Sequence, residues 1–288
     1  MVSASSPAPA VTAPSTGGGP RAEVVCDSIS PAGSRLTTIE VTLHRFVLAE
    51  LNTHRAFSRN SASSRAIPVK RQLEAVLQDP AVPLEFGANQ RGMQAGPPLQ
   101  GEDHERALAA WLDARDGAVA AAERLLELGV HKQVANRILE PFIWHTVIVT
   151  ATDWDGFWQQ RCSPLAQPEI RAAADAMRAA FDASTPVEVA EDDWHTPYIR
   201  DDERDLDVET RKRIAAARCA RVSYLTHDGR RDLSADEELY DRLVTAEPPH
   251  WSPLEHVATP AAGAQPAGNL RGWRQLRHLI EVDRTATR

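Results

Sequence analysis

The feature that most constrains this chain is a polar run of thirteen residues that follows a predicted strand and a short predicted helix. The run, Thr53 to Arg65, contains three arginines, a histidine, an asparagine and five hydroxyl side chains. Before it, residues 36–45 alternate polar and apolar side chains, with Ile39, Val41 and Leu43 on one face, which predicts a half-buried strand. Residues 46–51 predict a short apolar helix. The composition of the run predicts an anion-binding loop. Because two rigid elements precede it, we expect this loop to have a fixed position.

The side chains of this run suit a nucleotide. Arginine presents a planar fork of donors that matches phosphate and uracil-like carbonyls, and serine and asparagine add short, adaptable donors. The alternative is a disordered or phosphorylatable Ser/Arg segment. The apolar elements beside the run favour the nucleotide site over that alternative.

Composition limits the classes of protein that this chain can belong to. The chain has 288 residues, of which 42% are hydrophobic, enough for a sizeable core. A net charge of -8 argues against sequence-independent nucleic-acid binding, so we expect the arginines to be concentrated in a pocket. No apolar run approaches the roughly 20 residues that a membrane span needs. Three scattered cysteines predict neither a metal site nor a disulfide framework, and favour the cytoplasm.

The periodicity along the chain predicts an α+β fold in which helices pack on a mostly antiparallel sheet. Residues 1–21 predict a disordered tail, and residues 22–288 a single domain made of a core at 22–183 and a module at 206–281. The acidic residues 184–205 predict a surface excursion. Helices are predicted at 69–79, 102–128, 131–139, 165–181, 208–217 and 235–245, and further strands at 142–152 and 220–224.

The polar run resembles the signature of the flavin-dependent thymidylate synthases, the ThyX family. That signature is Arg-His-Arg, seven residues and then Ser, with Ser, Asn, Glu and a closing Arg at fixed places. Two positions of this chain depart from it, since Thr53 replaces the first arginine and Ser61 replaces the glutamate. The positions that fit the pattern are His54, Arg55, Ser58, Asn60, Ser63 and Arg65.

A second segment resembles the later part of the same family. Arg137 precedes a Leu-Glu-Pro sequence, and Arg161 lies a few residues before Ala-Gln-Pro-Glu-Ile. The resemblance implies that Arg137 binds the nucleotide phosphate and that Arg161 is catalytic, stabilising negative charge that develops on the uracil ring. The alternative for Arg161 is a surface arginine at a helix end. Cys162 raises a rival chemistry, attack of a thiolate on C6, but a spectator role is favoured because the family needs no such nucleophile.

A third segment resembles a family module that normally precedes the signature. Here the Ala220–Tyr224 stretch and the turn from His250 to His256 follow the signature instead, which predicts a circular permutation. The alternative for the two histidines is a structural hydrogen-bonding role. The basic residues 268–277 either bind the ligands in place of the family's arginine and glutamate, which are absent at Thr53 and Ser61, or form a solvated helix face.

The resemblance implies a complete set of ligands and site residues. FAD would be held by His54, Arg55, Ser58, Asn60, Ser223, His250, Ser252 and Glu255. The substrate would be held by Glu50, Ser61, Ser63, Ser64, Arg65, Arg137 and Arg161. The implied activity is C5-methylation of UMP or dUMP with methylenetetrahydrofolate and NADPH, at intersubunit sites of a homotetramer. The Ala/Arg-rich composition fits a high-GC source and favours nucleoside-antibiotic biosynthesis. The second hypothesis is a non-catalytic module that binds FAD and a nucleotide.

Overall fold

The main sheet of the computed structural model is built around a long central strand. The structure describes residues 18–222, 232–261 and 268–286. Strand β2 (Arg35–His44) lies between β1 (Arg21–Ile29) and β4 (Trp144–Ala151), antiparallel to both. Strand β3 (Ser58–Ser61) adds to the free edge of β4, and β5 (Val187–Glu188) pairs in parallel with β1. The order is therefore β3-β4-β2-β1-β5.

The elements between the strands are mostly helices. They are α1 (Leu48–Asn52), α2 (Val69–Gln78), α3 (Gly101–Glu127), α4 (Lys132–Ala135), α5 (Asp155–Arg161), α6 (Pro168–Ala183), α7 (Val208–Arg221), α8 (Leu233–Thr245) and α9 (Leu276–Ala286). Short 3₁₀ helices cover Arg45–Val47, Asn136–Phe142, Asp201–Glu203 and Ser252–Glu255. A small antiparallel pair, β6 (Ala258–Pro260) and β7 (Trp273–Gln275), lies near the end of the chain. Gly129 ends α3 with φ +75°, a conformation that glycine adopts without a Cβ clash.

The sheet is covered on both faces. On one face, Ile39, Val41 and Leu43 are fully buried against α6, which contributes Ile170 and Met177. On the other face, Ile148 of β4 packs against Cys219 and Val222 at the end of α7. Separate apolar clusters join α2 and α3 to the 3₁₀ segment Asn136–Phe142, and α7 to α8. The predicted α+β class and mostly antiparallel sheet are confirmed.

Several local predictions are wrong. The polar run is not entirely a loop, because Ser58–Ser61 forms an edge strand with β4. The strand predicted at 220–224 begins as helix, because Ala220 and Arg221 are the last residues of α7 and Arg221 forms an ion pair with Asp236 on α8. Its last two residues, Ser223 and Tyr224, lie outside the described residues. The excursion at 184–205 is not purely superficial, since His195 is fully buried against the sheet. Arg21 already belongs to β1, and most of the predicted tail, residues 1–17, is outside the described part.

Candidate functional site

A cleft of about 1120 Å³ opens beside the end of β3 and gathers many of the predicted site residues. It lies between the segment that leaves β3, helix α2, the start of β4 and the turn before the 3₁₀ helix Ser252–Glu255. The predicted site residues that line it are Asn60, Ser61, Ser63, Ser64, Arg65, Arg137, His250 and Ser252. Three sequence segments that are far apart in the chain therefore meet at one surface.

Hydrogen bonds fix the walls of this cleft. Asn60 donates from Nδ2 to the carbonyl of Cys219 (2.8 Å) and accepts at Oδ1 from the hydroxyl of Ser252 (3.1 Å). Buried Asn136 donates from Nδ2 to the carbonyls of Ser64 (2.6 Å) and Ile67 (3.1 Å). The hydroxyl-rich segment after β3 is thus held by side chains from α7, the His250 turn and the Asn136–Phe142 helix, which preorganises it for a ligand.

Positive charge dominates the lining of the cleft. Among the described residues, Asp79 is the one acidic residue of the lining, whereas the lining arginines are Arg45, Arg59, Arg65, Arg71 and Arg137. In a protein of net charge -8, this excess is a local concentration of cations. Such a concave cationic surface attracts a small anion, as the composition predicted.

Several buried polar atoms of the lining have no hydrogen-bond partner among the described residues. They are Gln72 Oε1, Asp79 Oδ1, Trp144 Nε1 and His145 Nε2. Burial, reinforced by the positive charge of Arg45, lowers the pKa of His145 to about 3, so its ring is neutral. A buried polar group without a partner is costly, so these atoms raise the free energy of the folded chain unless another group pairs with them.

A second group of predicted residues lies outside the lining of this cleft. Arg161, at the end of α5, donates from Nε to His54 Nε2 (3.0 Å) and from Nη2 to Thr53 Oγ1 (3.0 Å) and the carbonyl of Glu50 (3.2 Å). Thr53 stands where the family has an arginine, so the departure removes a like charge and supplies an acceptor for Arg161.

The charge of this second group is also defined. Burial, and then the charges of Arg161 and Arg59, lower the pKa of His54 to about 4, so the ring is neutral and accepts at Nε2. Arg161 contacts neutral acceptors here, and its Nη1 makes no hydrogen bond to any described residue. The guanidinium therefore keeps one terminal nitrogen for a ligand.

The remaining predicted flavin residues are dispersed. Ser58 is buried, and its hydroxyl accepts from Gln275 Nε2 (2.8 Å) and Asn269 Nδ2 (3.1 Å). Glu255 is ion-paired with Arg277, and Arg55 is exposed. Ser58 thus ties β3 to the segment 268–275, which is a structural use of that hydroxyl.

The surroundings of Cys162 and of the basic segment 268–277 bear on the roles predicted for them. Burial, and then Asp175, raise the pKa of Cys162 to about 11, so its thiol stays protonated at neutral pH and the nucleophile hypothesis loses support. Within the basic segment, Asn269 donates to the carbonyl of Ala56 (2.9 Å), and Arg271 pairs loosely with Asp153 (3.5 Å). The segment therefore packs directly beside the signature.

Sequence reasoning missed the far wall of the cleft. Arg45, Arg71, Gln72, Asp79, Trp144 and His145 line it and belong to no recognised motif. Arg59 lies within the polar run, but no role was assigned to it. The other residues carry no local sequence signal, because they belong to separate segments that meet only in the folded chain.

Residues 30–187 match the family described as thymidylate synthase complementing protein. The match spans more than half of the 288 residues. The chain belongs to this family. It is thereby a thymidylate synthase-like nucleotide methyltransferase, of a family that is generally flavin-dependent. The match ends before the His250 turn, so the permuted order stays a prediction.

Other comparisons add less. No curated protein matches the sequence. Among solved structures, the UMP/dUMP methylase PolB from Streptomyces cacaoi bound with 5-Br UMP has 18% identity and a TM-score of 0.47, covering 56% of this chain and 88% of that chain. The same enzyme bound with 5-Br dUMP has 17% identity and a TM-score of 0.43, covering 56% and 89%. The family assignment therefore depends on the sequence match alone.

No helix in the described ranges combines the length and the apolar character that a bilayer-spanning helix requires.

Proposed function

We propose that this protein catalyses flavin-dependent C5-methylation of a uridine 5′-monophosphate, UMP or dUMP. The carbon of methylenetetrahydrofolate becomes bonded to C5 of the pyrimidine, and the C5 proton leaves. FAD, once bound and reduced by NADPH, would supply the hydride that completes the methyl group, with tetrahydrofolate as the co-product. Each of these ligands goes beyond the family assignment and belongs to the proposal.

One observation carries this proposal: Ser61, Ser63, Ser64, Arg65 and Arg137 line a single cationic cleft. These are the residues that the ThyX resemblance assigns to the nucleotide. Arginine forks and serine hydroxyls are complementary to a phosphate group.

The cleft also fits the presence of a flavin. Its volume of about 1120 Å³ exceeds the roughly 300–1,000 Å³ of typical small-molecule sites. Asn60, His250 and Ser252 line it and are the residues through which we expect the protein to hold FAD there. FAD, when bound, supplies the reducing equivalents, while the residues of this chain bind and orient the reactants.

Arg161 is the proposed catalytic residue. C5 of a uracil is a weak nucleophile until negative charge moves toward N3 and the carbonyl oxygens, and a fixed guanidinium stabilises that charge. Two bonds to uncharged acceptors, His54 Nε2 and Thr53 Oγ1, hold Arg161 in one orientation. Because Glu50, His54 and Arg161 lie outside the cleft lining of their own chain, we propose that a second copy supplies them, as in an intersubunit site of a homotetramer.

The identity of the nucleotide follows from Ser61. Its side chain is smaller than the glutamate of the family signature and carries a hydroxyl, so it leaves room for a ribose 2′-hydroxyl and offers it a hydrogen bond. We therefore propose UMP as a substrate beside dUMP, which is consistent with a role in nucleoside-antibiotic biosynthesis in the cytoplasm.

The test is an assay of C5 substitution with UMP and dUMP side by side. Purified protein is supplied with FAD, NADPH and methylenetetrahydrofolate, and tritium release from C5 and the product mass are measured. We expect both nucleotides to be methylated. Turnover of dUMP without turnover of UMP would contradict the assignment based on Ser61.

The non-catalytic alternative predicts a different result from the same sample. The departures at Thr53 and Ser61 motivate it. A yellow protein that NADPH does not bleach with either nucleotide, and that releases no tritium, would identify a binding module. A colourless protein that takes up no added FAD would contradict both hypotheses.

A further inference from the structure

A carboxylate, Glu140, lies between two arginines of the cleft wall. Its Oε1 is 2.6 Å from Arg137 Nη1, and its Oε2 is 3.4 Å from Arg45 Nη2. Its Oε1 also accepts a hydrogen bond from the hydroxyl of Ser64 (3.2 Å). Glu140 belongs to the 3₁₀ segment Asn136–Phe142, whereas Arg45 directly follows β2, so the contact joins two distant segments.

Glu140 lies behind the two arginines. Arg45, Ser64 and Arg137 line the cleft, whereas Glu140 is not a lining residue and its side chain is only 20% exposed. Each guanidinium has five N–H donors and uses one terminal nitrogen in its pair with Glu140. The group of two cations and one carboxylate keeps a net positive charge on the side that faces the cleft.

Arg45 is held in place by its backbone as well as its side chain. Its amide donates to the carbonyl of Ile143 (3.1 Å), just before β4. Its charge also acts on His145, the neighbouring lining residue, whose pKa it helps to lower. Arg45 is therefore a fixed cation of the cleft that belongs to no part of the signature.

The geometry is not explained by folding stability. Arg137 is 52% exposed, and partly exposed ion pairs contribute little to stability. Two arginines that share one carboxylate also repel each other. An arrangement of this kind becomes favourable when an anion with several oxygens joins it, because both forks then have acceptors.

We propose that Arg45 is a second phosphate-binding residue of the cleft and that Glu140 positions Arg45 and Arg137 as a clamp for the 5′-phosphate group of the nucleotide. This inference rests on the proposed function. Arg45 contacts the phosphate, whereas Glu140 acts through the two arginines. Glu140 also keeps the two cations from repelling each other when no ligand is bound.

The first experiment compares UMP with uridine, which lacks the phosphate. The dissociation constants of both are measured calorimetrically, with uridine titrated to millimolar concentration, for the flavin-loaded protein and its Arg45→Gln variant. Loss of one charge-assisted contact is expected to weaken UMP binding about tenfold or more, while uridine binding changes less than about twofold. Arg106→Gln, an exposed arginine of α3, is the matched control and should change neither constant.

The second experiment tests the positioning role of Glu140. Glu140→Gln retains the size of the side chain but removes its charge. It is expected to raise the KM for UMP about three- to tenfold with kcat within about twofold, because the phosphate is bound equally in the ground and transition states. A purely structural role would instead weaken UMP and uridine alike, and that result would overturn the role of Glu140.

The outcomes separate this inference from the proposed function. If the unmodified protein binds UMP but Arg45→Gln binds it equally well, the clamp is wrong and the function stands. If the unmodified protein binds neither UMP nor dUMP, the proposed function is wrong, and the phosphate clamp, which depends on that function, is wrong as well. If an Arg45→Lys variant binds UMP almost as tightly as the unmodified protein, the positive charge is sufficient, and the inference that the arginine fork itself is needed at position 45 is wrong.

Discussion

Arginine and carboxylate side chains meet in two regions of this protein in different proportions. In the cleft, one carboxylate, Glu140, serves two arginines. In the interior, Arg218 of α7 lies between two carboxylates, bonded to Glu203 through both terminal nitrogens (2.6 and 2.7 Å) and to Asp236 through Nε (3.0 Å). The cleft group is partly exposed, whereas the side chains of Arg218, Glu203 and Asp236 are at most 9% exposed.

The difference separates a structural ion pair from a binding surface. Arg221 also pairs with Asp236 (2.7 Å), so two arginines and two carboxylates balance in the interior. That group joins α7, α8 and the 3₁₀ helix Asp201–Glu203 without any ligand. The cleft lining retains more cations than carboxylates, so its charge favours the binding of an anion.

The largest expected effect comes from breaking the interior group. Arg218→Met would leave Glu203 and Asp236 buried with fewer partners, and we expect it to lower the free energy of unfolding by about 3–5 kcal/mol. Urea unfolding followed by circular dichroism measures this. The control is Arg213→Met, whose pair with Asp241 is partly exposed and should contribute less than about 1 kcal/mol. Equal losses in the two variants would contradict the comparison.

Arg161 offers a sharper test, because it contacts no carboxylate in the part of the chain that the structure describes. Arg161→Lys keeps the charge but loses the fork that reaches His54, Thr53 and Glu50 together. We expect kcat for uridylate methylation to fall about 100- to 1,000-fold, with a change in unfolding free energy below about 1 kcal/mol.

The matched control for Arg161→Lys is Arg171→Lys, an arginine on α6 that pairs with Asp175 on an exposed face. Its kcat should stay within about twofold of the unmodified protein, since a surface pair of this kind contributes little. If both variants lose activity equally, Arg161 has no special place in the reaction.

Much of the scaffold could be predicted from the sequence, because periodic apolar patterns reflect burial directly. The alternation around Ile39 predicts β2, and the stripes in residues 102–128 and 165–181 predict α3 and most of α6. Part of the signature, from Asn60 to Arg65, lines one cleft with Arg137, whereas His54, Arg55 and Ser58 do not line it. Patterns of this kind are local, so a single sequence carries them.

The remainder depends on contacts between distant segments. Strand β3 has no apolar residue, and it is a strand because its backbone pairs with β4. The end of α7 was predicted as a strand from its apolar residues, but Arg218 and Arg221 must share one helical face to reach Asp236. The pairing of Arg45 with Glu140 links positions almost a hundred residues apart, and no sequence motif predicts it.

The smallest expected effect concerns a second interior group, a buried chain of hydrogen bonds that runs across the sheet. His195 bonds Ser28 through Nδ1 (2.8 Å) and Thr38 through Nε2 (2.7 Å), Thr38 bonds Thr150 (2.7 Å), and Thr150 bonds His256 Nδ1 (2.7 Å). The chain ends at His256, whose buried Nε2 has no partner among the described residues.

Acid should destabilise this chain in a defined pH range. Burial lowers the pKa of His195 and of His256 to about 3; nearby Asp27 opposes the shift at His195 without reversing it. Histidine in the unfolded chain takes up a proton near pH 6.5, so the unfolded state binds more protons below that pH. Stability is therefore complete above about pH 6.5 and falls as the pH decreases toward 3, by up to about 1.4 kcal/mol per pH unit for each histidine.

Urea unfolding between about pH 7.5 and about pH 5 measures this slope before carboxylates such as Glu203, whose pKa is lowered to about 2 by Arg218, begin to contribute. His195→Gln removes one titrating group while keeping a polar side chain that can bond Thr38. We expect its stability to be lower at neutral pH but to fall less steeply with acid than that of the unmodified protein. An unchanged slope would mean that His195 is not held neutral by its burial.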